Sequence, residues 1–513
     1  MRTDWVRNQS RDRQGAVAAV PLAHARGFYR AVAALTLVAA LSGLTATAQD
    51  KGDAPAKKTD TPAKEAKAAP KTPATPTIAI VGADVYTVTK GVLRNATVIV
   101  KDGKIAAVGQ DVTIPTGAVK IDATGKFVSP GFVTLNATNV GLRMAGGGGG
   151  GPGGGPGGGP QGNQPKFADA LNPYDRTMLY CLGSGITTAC IEVSAGGGRG
   201  FNRSPDDTGD GTSVCPCCGL TIMPMEPITP TPPTERTPRR AAVLKLTYGD
   251  MAPMLVKESP FYSLPAGSFA GALNRMRWRE SLAKAKQYVK DQAAYDNSTD
   301  ENAVAPRRTV SDELVKLAKK EIALRTEGTS VEQIREMLTL AKELDYNLIL
   351  DDVYEGWLIP NELAQAKVTT VITPRSRRRP TPGKEDTSGS SIELSGSLEK
   401  AGVPFAVTPL GASVSLDGIP GRDLTSLALE AAYAVRGGAS ESAALAALTI
   451  EPAKILGLAD RIGSIEEGKD ADILILDGPP LDYRSYVEKA LIGGKVYYDR
   501  EKAKVFPERL PNK

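Results

Sequence analysis

Cys215-Pro216-Cys217-Cys218, followed by Met223 and Met225, packs soft ligands closely enough to do chemistry. Thiolates and thioethers suit Cu(I) or Zn²⁺, whereas in an exported chain disulfide formation is the favoured outcome. Both readings stay open. The spacing matches neither the paired Cys-x-x-Cys of a zinc ribbon nor a haem attachment site. Cys181 and Cys190 bring the total to five, so at least one thiol is unpaired or bridges to another molecule. Those two are either joined to each other or simply buried. The only histidine is His24, so no later position offers an imidazole for metal ligation or proton relay. Arg375-Ser376-Arg377-Arg378-Arg379 could dock a polyanion. Without interleaved aromatic residues to stack bases it reads instead as a solvated basic loop, and no nucleic-acid partner is expected.

The elements that position these residues follow from composition and periodicity. A chain of 513 residues with 41% apolar and 23% charged side chains is long enough for more than one core. Its net charge of +5 is modest and scattered. Residues 1–48 read as a signal peptide: six arginines precede the apolar run Ala31–Leu44, and Ala46-Thr47-Ala48 offers a cleavage site. The run is shorter than the roughly 20 residues of a membrane span, with an uncleaved anchor as the alternative. Residues 49–76 are a Lys/Ala/Pro linker without large apolar side chains, expected to be disordered. From Thr77 short β-branched runs begin at Ile78–Val81, Ala96–Val100 and Ile105–Val108, with a hairpin turn at Lys101-Asp102-Gly103-Lys104. Asp472–Leu476, Val487–Ile492 and Lys495–Tyr498 repeat that texture at the other end. Between them strands alternate with helices: Gly185–Glu192, Ala241–Leu246, helical Ser311–Lys320 and Val331–Leu344, then Asn347–Leu350, Val368–Ile372 and Val403–Thr408. Repeated βα units predict a parallel sheet, and the length favours closure into a barrel.

The C-terminal run Ala447-Leu448-Thr449-Ile450-Glu451-Pro452-Ala453-Lys454, then Gly457-Leu458, Arg461-Ile462-Gly463-Ser464 and Glu467-Gly468-Lys469-Asp470-Ala471-Asp472-Ile473, resembles the amidohydrolase superfamily, in particular its imidazolonepropionase-like branch. Val128-Ser129-Pro130-Gly131-Phe132-Val133 and Gly185-Ile186-Thr187-Thr188 fit the same resemblance, which spans roughly residues 77–505. It implies a TIM-like (β/α)8 barrel with a composite β-sandwich. The sandwich would come from residues 77–129 and 453–505. The barrel would come from 130–452, with a Gly-rich insertion at 145–165 and a Cys-containing insertion at 197–238. It also implies a Zn²⁺ site at the C-terminal ends of the barrel strands and hydrolysis of C–N bonds.

Position by position, the resemblance places Asn136 and Thr138 where a His-x-His pair belongs. Thr326 and Asp352 stand for two further histidines, and Leu410 for the water-activating aspartate. Neutral oxygens are poor zinc ligands and leucine is none, so zinc-dependent catalysis is not expected and no metal is expected in the barrel. Glu327, Asp351, Asp352 and Glu355 would gather near the barrel mouth. Such carboxylates can act as general acid and base, with Asp352, Glu327 and Asp351 as the catalytic candidates, or hold a hard cation. The alternative is that they cap helices or pair with Arg325. The glycine run Ala145–Pro160 lacks the Gly-Lys-Ser/Thr ending of a phosphate-binding loop and reads as a flexible insertion.

The sequence therefore leads to an exported protein, periplasmic or extracellular and envelope-tethered in one reading. It is of the amidohydrolase kind, altered in its metal site and non-catalytic or chemically changed. The alternative is an active hydrolase of cyclic amides or dipeptide-like substrates using carboxylates. No cofactor is expected beyond Cu or Zn at the cysteine cluster. A small molecule or an envelope component is the expected partner, no transmembrane span is expected after signal cleavage, and homo-oligomerisation stays open.

Overall fold

The computed structural model describes residues 76–143, 166–193, 213–214, 221–222, 238–300, 302–416 and 421–505. The segment expected to be a signal peptide, all but the last residue of the expected linker, the glycine-rich stretch 145–165 and the cluster Cys215, Cys217 and Cys218 lie outside them.

Five strands open the described chain: β1 (Ile78–Tyr86), β2 (Val92–Lys101), β3 (Lys104–Gly109), β4 (Val119–Asp122) and β5 (Phe127–Pro130). The β2–β3 hairpin closes through Asp102 and Gly103, both with positive φ (51° and 78°). That conformation matches the right-handed twist of the flanking strands, and an Asp-Gly pair adopts it readily.

The chain then enters the barrel through β6 (Phe132–Ala137) and β7 (Ile186–Val193). A two-residue pair, β8 (Ser213–Val214) and β9 (Thr221–Ile222), precedes β10 (Arg240–Lys245) and β11 (Leu255–Glu258). Then come β12 (Tyr262–Ser263), β13 (Leu324–Glu327), β14 (Leu348–Asp351), β15 (Thr369–Ile372) and β16 (Phe405–Val407). Strands β12 to β16 form one parallel sheet in chain order. The other sheet runs β11-β10-β7-β6 and meets it at an antiparallel bridge between Arg239 and Ser263. Its β10 departs from the expected parallel order: it is antiparallel to β7, with Arg240 opposite Val193. A parallel neighbour needs a crossover that carries the chain back to its starting end. Here the chain re-enters at the end where it left.

Alternation along the strands builds the lumen. Val133, Leu135, Cys190, Ala241, Val243, Phe261, Ile349, Val371 and Ala406 form one buried cluster, sealed by Ala453, Leu456 and Ile462. Outside it lie helices such as Val331–Leu344, which buries Ile334, Met337 and Leu340 and begins at Ser330, whose hydroxyl accepts from Gln333 N–H. The 26-residue helix Gly271–Asp296 buries only Trp278, Leu282 and Ala285, a stripe of two turns in a long polar helix, too short to dominate its periodicity.

Finally β17 (Ile473–Leu476), β18 (Val487–Ile492) and β19 (Lys495–Asp499) return to the first sheet, where β17 pairs antiparallel with β5. The resulting order is β19-β18-β17-β5-β1-β2-β3, with β4 beside β1. Ile80, Val98, Ile105, Val128, Ile473 and Leu491 share its core, so both chain ends build one composite sheet domain. Among the described residues no helix is long and apolar enough to cross a membrane.

Candidate functional site

The upper lumen is organised around Arg325, which is buried on β13. Its Nη1 donates to Glu192 Oε1 at 2.7 Å and to the Leu135 carbonyl at 2.9 Å. Its Nε lies 2.9 and 3.1 Å from the two Asp351 oxygens, and Nη2 reaches Asp351 Oδ2 at 2.8 Å. The guanidinium also stacks over the Phe261 ring, 4.7 Å from its centroid. Glu327, directly opposite Asp351 in the β13–β14 register, accepts from Ala266 N–H at 2.6 Å. Arg239 stands 3.8 Å from both Glu192 and Glu327. Two guanidinium groups thus face three carboxylates.

Burial makes this network costly, and the forks of Arg325 offset that cost through charge-assisted hydrogen bonds. Asp351 is pushed up to about 7, chiefly by burial and against the pull of Arg325, with Asp352 and Glu192 adding to the rise. Its side chain keeps 19% exposure, so protons can exchange with solvent. A carboxyl poised there can act as general acid or base.

A divalent metal fits this donor set poorly. It would need the oxygens of Asp351 and Glu192 that Arg325 already holds, beside two fixed positive charges. Asn136 Oδ1 and Thr326 Oγ1 are buried and accept no hydrogen bond among the described residues, but neither carries charge. Thr138 N–H donates to the Ala412 carbonyl at 2.7 Å, and the Leu410 amide serves Glu430. Among the described residues no group of three His, Cys, Asp or Glu side chains is arranged to hold a metal ion.

The expected four-carboxylate cluster is brought together only in part. Glu327 and Asp351 adjoin in the lumen. Asp352, with φ of 55°, instead lines a separate cavity with Tyr354, Thr373, Ser376, Ser390 and Ser395. That space measures about 10 Å³, room for one water. Glu355 leaves the cluster altogether: it is buried and accepts from Val331 N–H at 3.0 Å and Gly389 N–H at 2.9 Å. It therefore ties a helix start to the following Pro-rich loop. The basic run also divides. Arg375 binds buried Glu430 through Nε at 2.9 Å and donates to Ser426 Oγ at 3.0 Å, and Arg378 donates to Thr329 Oγ1 at 3.0 Å. Only Arg377 and Arg379 fit an exposed loop. Cys181 and Cys190 are free and buried rather than bridged, and burial pushes both thiols above the usual range.

Sequence reasoning did not reach Glu192, Arg239 or Glu430. For Glu192 a signal existed: it is the one charged residue of the strand Ile186–Val193 and stands next to its last position, at the end where barrel chemistry is normally found.

Comparison with known proteins is consistent with this architecture. The Amidohydrolase family model matches residues 392–502. An imidazolonepropionase of Porphyromonas gingivalis is 42% identical over 67 residues, covering 12% of this chain and 16% of that protein. "Amidohydrolase tasK" of Hapsidospora irregularis is 39% identical over 71 residues, 14% of this chain and 7% of its own. The match thus spans under a fifth of either curated relative. Among solved structures, an amidohydrolase from Thermotoga maritima superposes with a TM-score of 0.57 at 25% identity, covering 82% of this chain and all of the other. By its barrel, its composite sheet and its C-terminal sequence, the chain is a relative of the amidohydrolase superfamily and resembles the imidazolonepropionase-like branch.

Proposed function

We propose that this chain is an exported amidohydrolase relative that has exchanged the family's metal centre for an ion network. In this reading the barrel acts without metal hydrolysis, as a binding or scaffold element for a small molecule or an envelope component. The observation that carries it is Arg325: a guanidinium sits among the carboxylates that would otherwise be free to ligate a cation. Retained fold does not entail retained chemistry.

Elemental analysis of the purified chain, beside a Cys215→Ser/Cys217→Ser/Cys218→Ser control, tests it. Any metal should disappear in the control. Stoichiometric zinc that survives there would sink the proposal. A second reading, hydrolysis of cyclic amides or dipeptide-like substrates by a carboxylate, is favoured by the position of Asp351 near neutrality. Turnover of such substrates that is lost in Asp351→Asn or Asp352→Asn would establish it instead.

A further inference from the structure

A second concavity lies away from the barrel mouth, between the β1–β2 turn, the helix Glu441–Leu448 and the segment after β17. Its volume is about 260 Å³, against roughly 150 Å³ for an apolar cavity that binds benzene. Tyr86, Val88, Val92, Leu445 and Leu481 line it, with Glu441 beside them. Val92 is 39% exposed there, so apolar surface is left open to solvent.

Two features make this more than an unfilled seam. Val88 holds φ at 74°, a conformation costly for a β-branched residue. The turn enforces it: Thr87 N–H and Oγ1 both donate to the Gly91 carbonyl, at 3.0 and 2.7 Å, and Lys90 N–H donates to Thr87 Oγ1 at 2.9 Å. Ile465 N–H and Thr89 Oγ1, bonded to the Thr87 carbonyl and to Glu466, anchor that turn to the C-terminal segment. The groove wall is therefore preformed. Charge is the other feature. The hydroxyl of half-buried Tyr86 is raised chiefly by burial, with Arg94 opposing and Glu441 and Asp84 adding to the rise, so the Glu441 charge reaches this ring. Arg94 is itself paired with Asp84 and neither lines the groove, whose lining carries Glu441 as its charged side chain.

We infer that the groove binds a small organic cation with a flat apolar body, an arylalkylamine. Its ring packs among Val92, Leu445 and Leu481, and its ammonium group lies between the Tyr86 ring and Glu441. An aromatic face and a carboxylate together recognise such a group. The inference stands independently of the function proposed for the barrel.

Calorimetric titration of the full chain with tryptamine, indole-3-ethanol and indole-3-acetate varies the charge on one ring system. Tryptamine should bind about three- to fivefold more tightly than the alcohol, the range an exposed ion pair supplies, and the acid more weakly than either. Glu441→Gln should bring tryptamine to the level of the alcohol. Val92→Trp, at a partly exposed site, should abolish binding of all three. If that variant melts early, Val92→Lys carries the same test by repelling the ammonium. Absence of saturable tryptamine binding, equal affinity for the three probes, an undiminished preference in Glu441→Gln, or unchanged tryptamine binding in a folded Val92 variant would each overturn the inference.

Discussion

At the scale of single residues, Arg325 carries the largest consequences. Arg325→Met strands Asp351 as a buried charge without its partner, leaves Glu192 only the Arg239 guanidinium 3.8 Å away, and should cost about 3–5 kcal/mol in urea denaturation at pH 7.5. Adding Asp351→Asn should recover part of that loss, because the stranded charge is then gone. The pH response of Asp351 has a defined sign. Its folded value of about 7 lies above that of an ordinary aspartate, so between about pH 4 and 7 the folded chain holds a proton that the unfolded chain has released. Stability from this group is therefore greatest at the acid end of that window and falls as pH rises through it. Buried Glu430 and Asp472 are raised as well, chiefly by burial, and act in the same direction. The diagnostic quantity is thus a difference: denaturation from pH 4.5 to 7.5 should show a shallower decline in Asp351→Asn than in the parent. An unchanged slope would mean that Asp351 is ionised throughout.

At the scale of elements, the junction of β5 and β6 and the loop after β15 are the exacting places. Gly131 N–H donates to the Asp472 carbonyl at 2.9 Å, and a Cβ at this position would lie 2.0 Å from Thr187 Oγ1. Gly131→Ala should therefore destabilise by about 1–3 kcal/mol through overpacking, measurable as a lower urea midpoint at unchanged slope. The Pro130-Gly131-Phe132 motif owes its glycine to this close approach of two strands. Glu355 acts between elements. Glu355→Ala leaves the Val331 and Gly389 amides without their acceptor, at a cost of about 2 kcal/mol or more. Hydrogen exchange should accelerate at Gly389 before it does in the barrel strands, since the loop loses its tether first.

At the scale of the whole molecule, one strand joins the two layers. Arg239, immediately before β10, and Ala241, Val243 and Lys245 within it alternate along one face, so one cation serves the upper lumen and another the opposite end. Lys245 Nζ donates to Asp470 at 2.8 Å and to Asp472 at 3.2 Å, and Arg461 meets the same Asp470 at 2.8 Å. These aspartates belong to the C-terminal segment that completes the composite sheet. Lys245→Met leaves Asp472 buried without its cation, and a loss of about 3–5 kcal/mol is expected. It should also loosen the coupling of barrel and sheet, so that near- and far-ultraviolet circular dichroism no longer report one coincident transition.

Local chemistry made much of this protein legible. The Asp102-Gly103 turn, the helix Val331–Leu344 with its apolar stripe, and the β-rich texture of both ends follow from side-chain types and their spacing along a few residues. So does the absence of imidazole beyond His24, which already placed Asn136, Thr138 and Leu410 in doubt as metal-site residues. Tertiary structure decided what those replacements mean. Arg325 bonds Glu192 across 133 positions of chain, and Arg375 bonds Glu430 across 55. Neither pairing has a periodic signal, because each arises only when the strands close on one another. Local geometry separated Asp352 from Asp351, because the strand ends there and Asp352 turns away at a φ of 55°, whereas Glu355 is drawn off by the distant amides of Val331 and Gly389. Periodicity reports which face of an element is apolar. Which charges meet inside a barrel depends on register and long-range closure, where desolvation forces every buried ion to find its counterpart.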